Sequence, residues 1–192
     1  MLKIHHFKEG IKEYVSKKKG NDFPSYSCCE ECGIQKKLYR HGFYERYVFV
    51  LSEKKFVNIV VCRYICQNPK CRQTYSVLPD FIIPYFQFPL PSIVELIDKK
   101  IEGVPLTEGI RQRATYYFKR YACEKHQNWI LQFFRKSGNL DSIPEESIKK
   151  AKKLLKMIQD FGESTFLRKS TDTFSNYFMA PSLYQNDEVH ST

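Results

Sequence analysis

Two pairs of cysteines carry the chemistry that this sequence most plainly offers. Cys29-Glu30-Glu31-Cys32-Gly33 holds the first pair with two residues between, and Cys66-Gln67-Asn68-Pro69-Lys70-Cys71 holds the second with four between. Four soft thiolates delivered as two short-spaced pairs on facing turns suit one tetrahedral structural zinc ion. Gly33 tolerates a positive φ, which lets backbone N–H groups turn toward the sulfurs. Asn68-Pro69 is a turn-forming dipeptide. The pairs stand 33 residues apart, so the ribbon between them must carry extra hairpin length.

The chain has seven cysteines, an odd number that argues against a complete disulfide framework. A redox dithiol of thioredoxin type belongs at a strand-to-helix junction in a βαβ pattern, whereas the surroundings here read as hairpins. Cys28 stands beside Cys29 as an alternative ligand. Cys62, on a strand-like run, reads as a small hydrophobe, and Cys123 as a half-buried helix thiol.

These pairs must be positioned by an α+β chain. Ile4, Phe7, Ile11 and Tyr14 recur at helical spacing, which predicts an N-terminal amphipathic helix within 1–20, ended by "SKKKGND". A zinc ribbon of antiparallel strands is expected over 21–88. In it "KKLYRHGFYERYVFV" breaks at a His41-Gly42 turn, "LSEKK" turns again before "FVNIVVCRYIC", and "RQTYSVL" forms a last short strand. "PDFIIPYFQFPLP" has four prolines in thirteen residues and reads as an extended linker.

Residues 89–192 form the helical C-terminal half. "PSIVELIDKKIEG" has proline near its start and glycine after its end. "LTEGIRQRATYYFKRYACEKHQNWILQFFRK" makes one or two further helices. "IPEESIKKAKKLLKMIQDFG" carries an apolar stripe of Ile148, Ala151, Leu154, Leu155 and Ile158. The tail from Ser170 begins with aromatics that can dock and ends polar and frayed.

Net charge is +10, and the excess sits in the first three quarters: +4 over 1–20, +3 over 21–88, +4 over 89–138 and −1 over 139–192. Such a field attracts polyanions without selecting among them. No apolar run is long enough to span a membrane, and the first twenty residues lack the continuous apolar stretch of a signal peptide. A cytoplasmic protein with reduced thiols, no membrane partner and an undefined oligomeric state is the resulting expectation.

A zinc ion closed by four thiolates does no chemistry and contributes to folding alone. Function then rests on what the ribbon displays. Lys36, Lys37, Arg40, His41 and Arg46 surround the expected first turn among Tyr39, Phe43, Tyr44 and Tyr47, a mixture that suits phosphates and bases. Arg111 and Arg113, with Lys119 and Arg120, form a second basic cluster that fits a helix-turn-helix role. His5, His6, His126 and His190 are surface candidates without ligand spacing. Asp80, Asp98, Glu102, Asp141 and Asp160 lie in unrelated contexts, and no phosphate-binding glycine loop or nucleophile motif is present, so no enzyme is expected.

At "CEECG…LYRHGFYERYV…IVVCRYICQNPKCRQTYSVLPDFIIPY" the sequence resembles the transposase-associated zinc-ribbon proteins of bacteria, short reading frames near mobile elements that are grouped mostly under a domain of unknown function. The resemblance covers about 25–90, with "RYACEKHQNWILQFFRK" and "YFMAPS" similar more loosely. It implies that Cys29, Cys32, Cys66 and Cys71 are the ligands and Cys28 a bystander, although Glu30 stands where proline commonly follows the first ligand. It also implies non-catalytic DNA-related work, DNA ahead of RNA, in transposition or its regulation, with a transposase as a partner. The rival expectation is a structural adaptor that binds a protein partner through the ribbon and helical half.

Overall fold

The computed structural model describes residues 1–140 and 142–180, so Asp141, His190 and the tail beyond Ala180 lie outside the described residues. Four strands form one mixed sheet: β1 (Leu2–His5), β2 (Tyr39–Val50), β3 (Lys55–Ile65) and β4 (Thr74–Pro79), in spatial order β1-β4-β3-β2. β2, β3 and β4 pair antiparallel as expected for a ribbon, while β1 adds parallel to β4, with Leu2 opposite Ser76 and His5 opposite Pro79. Six α-helices stand among the described residues: α1 (Ile11–Lys17), α2 (Leu90–Ile101), α3 (Glu108–Ala122), α4 (Glu124–Lys136), α5 (Ser147–Phe161) and α6 (Glu163–Phe174).

The N-terminal helix is therefore shorter than its apolar spacing suggested. Ile4 belongs to β1, and Gly10 caps α1, whose first residue is Ile11. The ladder to β4 overrides a helical pattern that local residues alone would allow. α1 ends where Lys18 turns to φ 49°, and the Asn21 side-chain amide donates to the carbonyls of Tyr14 and Lys18.

The expected turn at His41-Gly42 is not a turn. β2 runs through it, and the register steps from Arg40 opposite Tyr64 to Gly42 opposite Arg63, leaving His41 as the extra residue of a bulge. The hairpin turn is the later one, at Leu51–Glu53 with Lys54 left-handed.

The proline-rich segment forms no regular strand, since proline cannot donate to a ladder, but it is not an exposed connection either. Phe81, Ile82, Ile83, Phe86 and Phe88 are buried. The segment folds back on itself through an Ile82–Pro89 bridge, and the Phe49 N–H donates to the Gln87 carbonyl at 2.7 Å.

One cluster of buried residues centres on the sheet and α1, with Phe7, Tyr14, Phe23, Cys62, Tyr75 and Val77. The other fills the helical layer and takes in Ile83, Phe86 and Phe88 from the proline-rich segment. Each fully buried large apolar side chain contributes about 1.5–3 kcal/mol. Direction comes from polar ties: the Tyr121 hydroxyl of α3 donates to the Ala151 carbonyl of α5 at 2.6 Å. Phe178, Met179 and Ala180 are buried after α6, and Arg120 donates to the carbonyls of Met179 and Ala180 at 3.0 and 2.7 Å. The aromatics of the early tail do dock.

Candidate metal centre

The two cysteine pairs meet. Cys29 lies in the loop before β2, Cys66 directly follows β3, and Cys71 closes the turn into β4. Their three sulfurs and that of Cys32 all lie within 4.8 Å of one another. Cys29 and Cys71 are 3.9 Å apart and Cys32 and Cys66 3.7 Å, close to the ~3.8 Å edge of a tetrahedron with ~2.3 Å metal–sulfur bonds. Cys28 is half-buried and outside the group, and Cys62 is fully buried in the sheet core.

Backbone turns set this geometry. In the first loop the Gly33 N–H donates to the Cys29 carbonyl at 2.8 Å, and the Cys29 N–H to the Ile34 carbonyl at 3.1 Å. Gly33 sits at φ 68°, the left-handed conformation its identity suggested. In the second loop the N–H groups of Cys71 and Arg72 share the Asn68 carbonyl at 3.0 Å, and the Asn68 side-chain oxygen accepts from the Lys70 N–H at 3.1 Å. Asn68 also points donors at the sulfurs, its backbone N–H 3.4 Å from Cys66 and its amide 3.6 Å from Cys32.

Tyr75 of β4 is a site residue that spacing alone did not reveal. Its hydroxyl lies 3.1 Å from the Cys29 sulfur and accepts from the Glu31 N–H at 3.3 Å, which leaves the phenolic proton for the sulfur. Burial opposes ionisation of Cys29, yet donation from Tyr75 and from the Cys32 and Glu31 backbone outweighs it and brings the thiol down to about 6. Burial pushes Cys66 up to about 12, and the neighbouring sulfurs add to the rise. One thiolate is accommodated by hydrogen bonds; four need a cation among them. The set fits a metal ion in ligand type, count and separation.

The basic candidates divide. Lys36, Lys37, Arg40 and His41 are exposed on the approach to and start of β2, beside the cysteine loops, and the Gln67 amide reaches the Lys37 carbonyl. Arg40 lies over the rings of Phe43 and Tyr64 at 5.9 and 6.0 Å. Lys70 and Arg72, flanking Cys71, extend the same cationic edge, a grouping that the linear reading missed. Arg46 departs from expectation: it is half-buried, and its guanidinium donates to the Phe86 carbonyl at 2.5 Å, so it fastens the proline-rich segment to β2.

On α3, Arg111 pairs with Glu108, Arg113 is exposed, and Arg120 clamps residues 179–180. His126 is buried rather than superficial, donating from Nδ1 to the Arg120 carbonyl at 2.7 Å. Cys123 is exposed between α3 and α4, with its sulfur 2.9 Å from that same nitrogen. Asp80 is buried and bonded to His6 at 2.8 Å, while Glu102 and Asp160 pair with Lys152 and Lys156. No helix among the described residues is long and apolar enough to cross a membrane.

No curated protein and no solved structure matches the chain. Among family models, residues 29–116 match a domain of unknown function, DUF6431, a span that contains all four clustered cysteines and ends within α3.

Proposed function

We propose that this chain is a non-catalytic nucleic-acid-binding protein whose cysteine centre holds one structural zinc ion. The observation that carries the proposal is the junction of two features. Four sulfurs at tetrahedral separations fix the ends of β3 and β4, and Lys36, Lys37, Arg40, His41, Lys70 and Arg72 stand exposed around the same loops. A closed thiolate set leaves no coordination position for substrate, so the metal holds the loops and the cations do the recognising. A phosphate backbone is the ligand that rewards such a cluster, and the net charge of +10 favours its approach.

DNA is the nucleic acid we propose, in transposition or its regulation. The likeness of "CEECG…LYRHGFYERYV" and "TYSVLPDFIIPY" to transposase-associated proteins supplies that setting. Arg111 and Arg113 offer a second surface, on the helix that follows α2 after a short connection.

The test is binding to random duplexes and single strands across a salt series, with zinc content measured before and after chelation. Phosphate binding weakens steeply with salt, with a log–log slope of about one unit per neutralised phosphate. Absence of binding at low salt would favour the protein adaptor instead. Salt-independent capture of a protein partner would establish it.

A further inference from the structure

The open part of the sheet carries a second feature that the cationic edge does not explain. Tyr44, Arg46 and Tyr47 of β2 line a concavity of about 390 Å3 with Leu2, Tyr85 and Gln87. A neighbouring concavity of about 530 Å3 shares Leu2 and Tyr85 and continues past Tyr26 and Tyr177, where Lys3 is accompanied by the carboxylates of Glu30 and Asp172, so the cationic part of the track is the end at Arg46. The two meet at Leu2 and Tyr85 and make one track along the sheet and the β1 edge, with Tyr26, Tyr44, Tyr47, Tyr85 and Tyr177 among its walls.

Two of its rings are open to solvent: Tyr47 is 63% exposed and Tyr85 44% exposed. Tyr85 is held at φ 69°, in the left-handed region that residues with a Cβ seldom adopt. Strain of this kind is retained where the surroundings demand a fixed display. The Arg63 guanidinium lies 5.2 Å over the Tyr44 ring and is exposed. Arg46 is anchored through one donor to Phe86, which leaves other guanidinium N–H groups at the concavity.

Planar aromatic walls with guanidinium groups among them select a planar ring attached to negative charge. Neutral sugars and proline-rich peptides also lie on tyrosine, but neither draws on Arg46, Arg63 or the net positive charge. We infer that this tyrosine-walled track takes the unpaired bases of single-stranded nucleic acid, stacking them on Tyr47 and Tyr85 while the cationic edge holds phosphates. The inference rests on the nucleic-acid reading above and narrows it: bases inside a duplex are stacked on one another and cannot reach these rings.

The experiment compares three labelled probes: an oligothymidylate, the same strand with abasic sites in place of its bases, and a duplex of equal length. The inference requires the intact strand to bind about tenfold tighter than the abasic strand, whose phosphates are the same. Tyr47→Ala and Tyr85→Ala should each weaken the intact strand by about tenfold without altering the salt slope, and Tyr→Phe at either position should retain affinity. The unfolding midpoint of Tyr47→Ala should match the parent protein, since that ring is 63% exposed.

Equal binding of intact and abasic strands, or alanine variants that bind as well as the parent, would overturn the stacking track and leave the cationic edge standing. Loss of all binding by the parent protein removes both. Preference for an oligosaccharide or a proline-rich peptide over every strand would reassign the track.

Discussion

Gly33 and Arg72 occupy matching places, each one residue past the second cysteine of its pair, and both are left-handed, at φ 68° and 52°. The two loops thus turn in the same way around the sulfurs, one with the residue suited to it and one without. A Cβ on Gly33 would meet nothing within 4 Å, so Gly33→Ala should cost only the conformational penalty, about 1 kcal/mol. Arg72→Gly should relieve a similar strain, partly offset by greater freedom in the unfolded chain. Denaturant midpoints of the zinc-loaded variants measure both, and a fall of equal size in each would contradict the match between the loops.

Metal content should be one zinc per chain. Cys71→Ser should abolish it and unfold the sheet, because three thiolates leave the centre open and the loops untied. Cys123→Ser, at an exposed sulfur far along the chain, should keep the full metal content. Metal analysis beside circular dichroism distinguishes the two.

Tyr75→Phe keeps the ring that fills the sheet core and removes the donor to Cys29. Zinc affinity should fall by about 10–100-fold, as for other partners of metal ligands. Competition against a chromogenic chelator reads this directly. An unchanged affinity would make Tyr75 a packing residue only.

Arg40 and Arg46, only six residues apart, should respond in opposite ways. Replacing Lys36, Lys37 and Arg40 together with alanine should flatten the salt slope of DNA binding by about one unit per lost phosphate contact, at constant zinc. Arg46→Ala should instead cost about 1–3 kcal/mol of stability, since it strips the Phe86 carbonyl of its partner. Arg111→Ala with Arg113→Ala tests the helical surface under the same conditions.

Burial lowers His126 below its usual 6.5, and donation to the Arg120 carbonyl only partly opposes the fall. The unfolded chain therefore takes up this proton at a higher pH than the folded one. The resulting stability is fully present above about 6.5 and is lost as the pH falls below it. The stability difference between parent protein and His126→Gln, both zinc-loaded, should shrink from pH 7 to pH 5. A difference that stays flat would mean the folded imidazole protonates freely.

The cysteine centre was legible because its information is local: two short spacings and a glycine describe two turns, wherever they end up. β3, β4 and α2 to α5 were legible for a similar reason, from alternation, caps and apolar stripes. The bulge at His41 was not, since His-Gly serves a turn and a bulge equally well, and only the ladder to β3 decides. β1 was hidden because its partner lies more than seventy residues away. α6 was missed because its buried residues, Phe166, Leu167 and Ser170, make too short a stripe among serines and threonines. Tyr75 read as one more strand aromatic, and nothing in its neighbours marks the sulfur it faces.

The parallel pairing of β1 with β4 also has a consequence in time. Leu2 faces Ser76 across the ladder, so β1 waits on the ribosome's output for a partner made 74 residues later. At roughly 5–20 residues per second that is an interval of about 4–15 s. Through it Leu2–His5 stays an unpaired edge, while both cysteine loops emerge and can be drawn together before β4 is complete. The cysteine loops are thus made in time to seed the closing of the strands, while the N-terminal strand cannot be sealed before β4 exists.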